Sequence, residues 1–137
     1  MKEPLKFFLI AGEPSGDLHG AKLIKAIKSL QPLSSFMGHG GYLMEKEGMK
    51  IVEHCNNLSV MGFKEVIVHL PRIWKIMNNT VALVKKVKPD RIILIDYPGF
   101  NLRFAKNILI NPFQFFHLNK NGIDQKGSTR NITDTRL

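Results

Sequence analysis

The sequence predicts a doubly wound α/β domain built on a mostly parallel sheet, and three observations carry that expectation. Two short apolar runs, KFFLIA at Lys6–Ala11 and RIILID at Arg91–Asp96, have the composition of strands covered on both faces. Segments with helical apolar spacing alternate with strand-like ones, an order that calls for right-handed crossovers between parallel neighbours. Each of the two runs is followed by a turn rich in glycine, proline and acidic residues, GEPSGD at 12–17 and DYPGFN at 96–101. Ligands of open parallel sheets bind beyond the carboxyl ends of the strands, so both turns should face one crevice.

The elements follow in order. The first strand stops at Gly12 and Pro14. Leu23, Ile24, Ile27 and Leu30 then fall on one helical face, with Lys22, Lys25 and Lys28 on others, which predicts an amphipathic helix over the sheet. Ser15 or Asp17 is placed to cap its first turn, and Pro32 stands just past its end. A weaker strand at Ser35–Met37, a glycine turn (Gly38, Gly40, Gly41), a short helix near Tyr42–Glu47 and a strand near Ile51–Glu53 repeat the pattern. Between Met61 and Lys88 apolar residues recur every three or four positions, and Pro71 divides them into two expected helices. Lys88-Pro89-Asp90 ends the second, and RIILID is the clearest strand of the chain. Residues 1–110 therefore read as one domain. Residues 111–137 are rich in Asn, Gly, Ser and Thr without a sustained period and read as an unstructured tail, a short strand at Phe113–His117 being the open alternative.

Composition narrows the function. A chain of 137 residues, 44% hydrophobic, suits one domain with a real core. The single cysteine, Cys55, rules out an internal disulfide and suggests a reducing compartment. Glu3 and Pro4 break up the apolar amino terminus, so it reads as a strand and not an export signal, and no apolar run reaches the roughly 18 residues of a membrane span. The net charge of +9 and a pI near 9.9 imply an acidic partner: nucleic acid, anionic lipid or a phosphorylated substrate. The lysines form no dense block with interleaved aromatics, which argues against nucleic acid. A non-catalytic module binding an acidic ligand stands as the alternative to an enzyme.

The motifs exclude several chemistries. GEPSGD lacks the second glycine and the Lys-Ser/Thr pair of a phosphate-binding loop, and Leu43 replaces the third glycine of a dinucleotide fingerprint at 38–43. The histidines His19, His39, His54, His69 and His117 show no metal-ligand spacing and read as surface or packing residues; neither a metal nor a cofactor is expected. Asp96 is the strongest single residue, an ionisable group at the ligand end of a buried strand and thus placed for general-base work. Pro98, Gly99 and Asn101 suggest a backbone shaped for close approach beside it. Glu13 and Asp17 pose a question, because a strand-to-helix turn favours anions and two carboxylates would repel a phosphate.

Four spaced motifs, AGEPSGDLHGA (11–21), G-x-G-G-x-x-M-x-x-x-G (38–48), LSVMGFKEV (58–66) and KPDRIILIDYPGFNLRFAK (88–106), together resemble the amino-terminal domain of the lipid-A-disaccharide synthases. The resemblance implies the Rossmann-like, acceptor-side half of a GT-B glycosyltransferase. Such an enzyme joins UDP-2,3-diacylglucosamine to 2,3-diacylglucosamine 1-phosphate, forming a β-1,6 disaccharide and releasing UDP, with no cofactor. It implies Asp96 as the base, and Gly12, Glu13, Ser15, Gly16, Asp17, Met61, Gly62, Pro98 and Asn101 as substrate contacts. In that family the nucleotide is held mainly by a carboxyl-terminal domain, which would free Glu13 and Asp17 to meet sugar hydroxyls. It also implies a cytoplasmic protein, peripheral at the inner face of the inner membrane. The mixed apolar and basic stretch around Arg72, Trp74 and Lys75 would there meet an anionic bilayer. The resemblance ends soon after Lys106, where the synthases continue into a second, UDP-sugar domain; this predicts a shortened chain that is inactive alone.

Overall fold

Five consecutive residues of the first strand are almost out of solvent, and the architecture around them explains why. The computed structural model describes residues 3–58, 63–108, 114–119 and 122–125. Strands β1 (Lys6–Ala11), β2 (Ser35–Gly40), β3 (Lys50–His54), β4 (Arg91–Ile95), β5 (Gln114–Asn119) and β6 (Gly122–Gln125) form one sheet in the order β3-β2-β1-β4-β5-β6. All neighbours are parallel except β5 and β6. β1 lies inside the sheet with β2 on one side and β4 on the other, so it has no free edge.

Helices cover both faces, as doubly wound crossovers require. Phe7, Leu9, Ala11, Ile93 and Ile95 pack with Ala21 and Ile24 of α1 (Pro14–Leu30) and Met44 of α2 (Tyr42–Lys46). Phe8, Ile10, Ile92 and Leu94 point the other way, against Ile76, Met77 and Val84 of α3 (Phe63–Val87) and Phe100, Phe104 and Ile108 of α4 (Pro98–Ile108). The strict alternation along each strand turns one apolar run into two cores. The expected fold class is the observed one.

Three elements differ from expectation. Phe63–Val87 is a single helix of 25 residues with Pro71 inside it, not a pair. Pro71 is exposed, and beyond it the apolar stripe through Ile76, Met77 and Val84 binds the helix to the sheet. α1 begins at Pro14, so Ser15, Gly16 and Asp17 lie within its first turn and Glu13 takes the cap position without a side-chain hydrogen bond. Within the segment expected to be an unstructured tail, Gln114–Asn119 and Gly122–Gln125 are strands, and β5 runs in register beside β4 from Arg91↔Gln114 to Ile95↔Leu118. Of the short strand left open at 113–117, residues 114–117 lie in β5, and residue 113 lies outside the described residues.

His39 is a packing residue, as its spacing implied. It is wholly buried on β2, its ring 6.3 Å from that of Phe8 and 5.7 Å from that of Phe100. The Thr80 hydroxyl donates to the Ile76 carbonyl (2.7 Å) and so accepts from His39 Nε2 (2.9 Å), which places the imidazole proton on Nε2. Burial pushes the pKa of His39 down from 6.5 to about 4. The unfolded chain therefore takes up this proton at a higher pH than the fold does. Stability from neutral His39 is full above about pH 6.5 and is lost as the pH falls through about 4. The loss should approach about 3 kcal/mol for this one group. Urea unfolding of the chain and of His39→Leu between pH 7 and pH 4 measures it; equal pH slopes for the two proteins would exclude His39 as the source.

Candidate functional site

The register Ala11↔Ile95 ends β1 and β4 side by side, so the turns that follow them meet at the carboxyl edge of the sheet. They touch at Gly12. A Cβ there would stand 2.5 Å from two ring atoms of Tyr97, so only glycine lets that ring lie against the turn. The Tyr97 hydroxyl donates to the Leu58 carbonyl (2.6 Å), just after the 3-10 turn Cys55–Asn57 that follows β3. One aromatic side chain thus links the exits of β1, β3 and β4. The two motifs that the sequence predicts to face one crevice do meet, at Gly12 and Tyr97.

Asp96, half-buried, is the first residue after β4. Its φ is 49°, and that of Tyr97 is 53°, both left-handed without being glycine. Asn101 Nδ2 donates to the Asp96 carbonyl, and the Asn101 amide N–H donates to the Tyr97 carbonyl (3.1 Å). Pro98 and Gly99, the first turn of α4, are exposed at the rim. Asn101, expected to contact substrate, is only 1% exposed and faces protein. Its amide serves the backbone that carries Asp96.

The two carboxylates of GEPSGD do different work. Asp17 is 6% exposed, and its oxygens accept from the backbone N–H groups of Gly41 (2.9 Å), Leu43 (3.1 Å) and Met44 (2.9 Å). These are orphan donors at the start of α2, which has no side-chain cap of its own. Asp17 therefore holds a neighbouring helix in place and does not offer its carboxylate to a sugar. Its charge, after burial, helps to push the Cys55 thiol pKa up. Glu13 is exposed beside Tyr97; burial first, and the Glu13 charge second, push the Tyr97 phenol up. Ser15 is exposed near it, whereas Gly16 is buried, its Cα packed so closely that a Cβ would lie 3.2 Å from Ala11 Cβ. Gly12 is buried as well, under the Tyr97 ring. Met61 and Gly62 lie outside the described residues.

Beside the turn after β4, an apolar groove of about 270 Å³ runs between α3 and α4, lined by Leu70, Ile73, Trp74, Met77, Tyr97, Gly99, Phe100, Arg103 and Asn107. Trp74 is 57% exposed, and Arg72, Lys75 and Arg103 are exposed around it. The groove and Tyr97 were missed in the sequence. Tyr97 stands inside DYPGFN, but its importance depends on the glycine opposite, which no local pattern reveals. No group of three His, Cys, Asp or Glu among the described residues could hold a metal ion. No described helix is long and apolar enough to cross a membrane.

With this geometry in view, comparison with known proteins supplies the context. A family model described as lipid-A-disaccharide synthetase matches residues 7–114. The lipid-A-disaccharide synthase of Myxococcus xanthus is 38% identical over 108 residues, 79% of this chain and 28% of the relative. That of Coxiella burnetii is 43% identical over 98 residues, covering 72% of this chain and 26% of the relative. That of Haemophilus influenzae is 41% identical over 109 residues, covering 80% and 28%. The chain thus spans between a quarter and a third of the length of the relatives it matches. The match spans β1 through β4, both turns that follow β1 and β4, and α4, and the chain belongs to the lipid-A-disaccharide synthetase family.

Proposed function

We propose that this chain forms the acceptor-side part of a glycosyltransferase site that makes lipid A disaccharide. Asp96 takes the proton from the 6-hydroxyl of 2,3-diacylglucosamine 1-phosphate. That oxygen attacks the anomeric carbon of UDP-2,3-diacylglucosamine, the bond to UDP breaks, and the β-1,6 link forms. Exposed Glu13 and Ser15 meet sugar hydroxyls at the same rim, and Pro98 forms its opposite edge. The groove between α3 and α4 takes an acyl chain of the acceptor. The protein works at the cytoplasmic face of the inner membrane, with Arg72, Lys75 and Trp74 toward anionic headgroups.

The observation that carries this reading is adjacency. Asp96 is followed directly by Tyr97, Gly99 and Phe100, which line the apolar groove, so a sugar at the rim and its acyl chain fit one continuous surface. An acyl chain gains about 0.8 kcal/mol for each methylene removed from water, which makes such a groove a strong determinant of acceptor affinity.

Gly99 supplies the test. Gly99 lines the groove and a Cβ added there meets nothing within 4 Å, so a larger side chain has room at the groove mouth. The measurement uses a full-length synthase of the family whose matched segment is replaced by residues 7–108 of this chain. Gly99→Trp should weaken binding of the diacylated acceptor in anionic vesicles at least about tenfold, the equivalent of two methylenes. Binding of the acyl-free sugar phosphate should stay unchanged. Undiminished affinity for the acylated acceptor would sink the groove assignment.

A further inference from the structure

Asp96 and Tyr97 occupy the left-handed region in succession, φ 49° and 53°. Residues with a Cβ avoid that region because the Cβ crowds the next carbonyl oxygen, and they stay there only where surrounding contacts impose it. Three hydrogen bonds impose it here. The Tyr97 hydroxyl is anchored on the Leu58 carbonyl at 2.6 Å. The other two come from Asn101: its amide N–H to the Tyr97 carbonyl at 3.1 Å, and its Nδ2 to the Asp96 carbonyl.

We propose that Asn101 is a positioning residue for the transfer reaction and acts through Asp96. Its side chain is 1% exposed, so it has no route to a substrate, yet it binds the one backbone carbonyl that belongs to the proposed base. By fixing that carbonyl it fixes the peptide plane and with it the direction of the Cα–Cβ bond of Asp96. Without the Nδ2 contact, the turn is free to relax toward negative φ, which swings the carboxylate away from its place at the rim. A misplacement of about 1 Å is enough to cost roughly 10²-fold in rate. The inference rests on the reading of Asp96 as the base.

The test is a double-mutant cycle in the full-length synthase that carries residues 7–108 of this chain, assayed well below each variant's melting midpoint. Asn101→Ala removes the donor with its side chain. Asn101→Asp removes the donor and keeps the volume, which guards against a simple packing defect. Both should lower kcat by about 10²-fold while KM for acceptor and donor moves by less than about threefold. In an Asp96→Asn background the same substitutions should lower the residual kcat no further, because the group they position is gone. Parental kcat in both Asn101 variants, beside an impaired Asp96→Asn, would overturn the positioning role and leave Asp96 as base. An equal fold-loss in the parent and the Asp96→Asn background would overturn it too, by showing an effect independent of Asp96. Normal turnover by Asp96→Asn would overturn both readings together.

Discussion

Asp96→Asn, in a full-length synthase carrying this segment, is expected to lower kcat by about 10²–10⁴-fold, the range a positioned general base contributes. The substitution keeps the size and hydrogen-bonding reach of the side chain and removes its capacity to take a proton. The tethers of the turn involve the Asp96 carbonyl, the Tyr97 hydroxyl and Asn101, none of which changes, so the backbone at the rim should hold its shape. Acceptor KM should accordingly stay near the parental value, since an interaction that matters only as the proton moves is lost from kcat and kcat/KM alike. Steady-state release of UDP with both substrates measures this. Turnover within a few-fold of the parent would remove Asp96 from the mechanism.

Gly38→Ala should have the largest effect on stability. Gly38 has φ 142°, and the β2–β3 register shifts between it and His39, so the backbone there follows a path that side chains rarely permit. A Cβ at this point would overlap the carbonyl oxygen of Leu9, an atom of the wholly buried strand β1. Backbone at the centre of a parallel sheet has no flexible end to swing aside. Strain and overpacking together should cost about 3 kcal/mol or more, a large part of the 5–15 kcal/mol typical of a domain. Gly99→Ala is the matched control, exposed in a helix with open space around it, and should be neutral or slightly stabilising. Thermal melts of the three proteins should place Gly38→Ala about 10 °C or more below the others. A midpoint shared with the control would show that the sheet accommodates the methyl group.

The parts of this fold that were legible in the sequence are those written in side-chain periodicity. β1 and β4 are continuous apolar runs, and α1 repeats its apolar residues at helical spacing, so their type and order could be read directly. Pro71 misled because the rule against proline is local, whereas α3 is held to the sheet by Ile76, Met77 and Val84 beyond it. β5 was obscured because six strand residues are diluted by the polar composition around them. At the site, Asp96 was legible from its place after a buried strand. The work of Asp17 was not, because its partners are three backbone N–H groups at 41–44, which leave no mark in residue type. Asn101 stands in a turn whose special shape the sequence shows, but its burial and its bond to the Asp96 carbonyl cannot be read from a single polar letter.

The reach of Asp17 across to α2 also bears on how this rim comes into being. A helix of five residues is too short to sustain itself in water, so α2 depends on the Asp17 tether together with the packing of Met44. Order at the exit of β2 therefore leans on the first turn of α1, which couples the two βα units. Sequence drift at position 17 would be felt first at a distance, as fraying of residues 41–44, with the chemistry at Asp96 still intact. The acidic turn after β1 is in this sense a joint between two βα units as much as an edge of the rim.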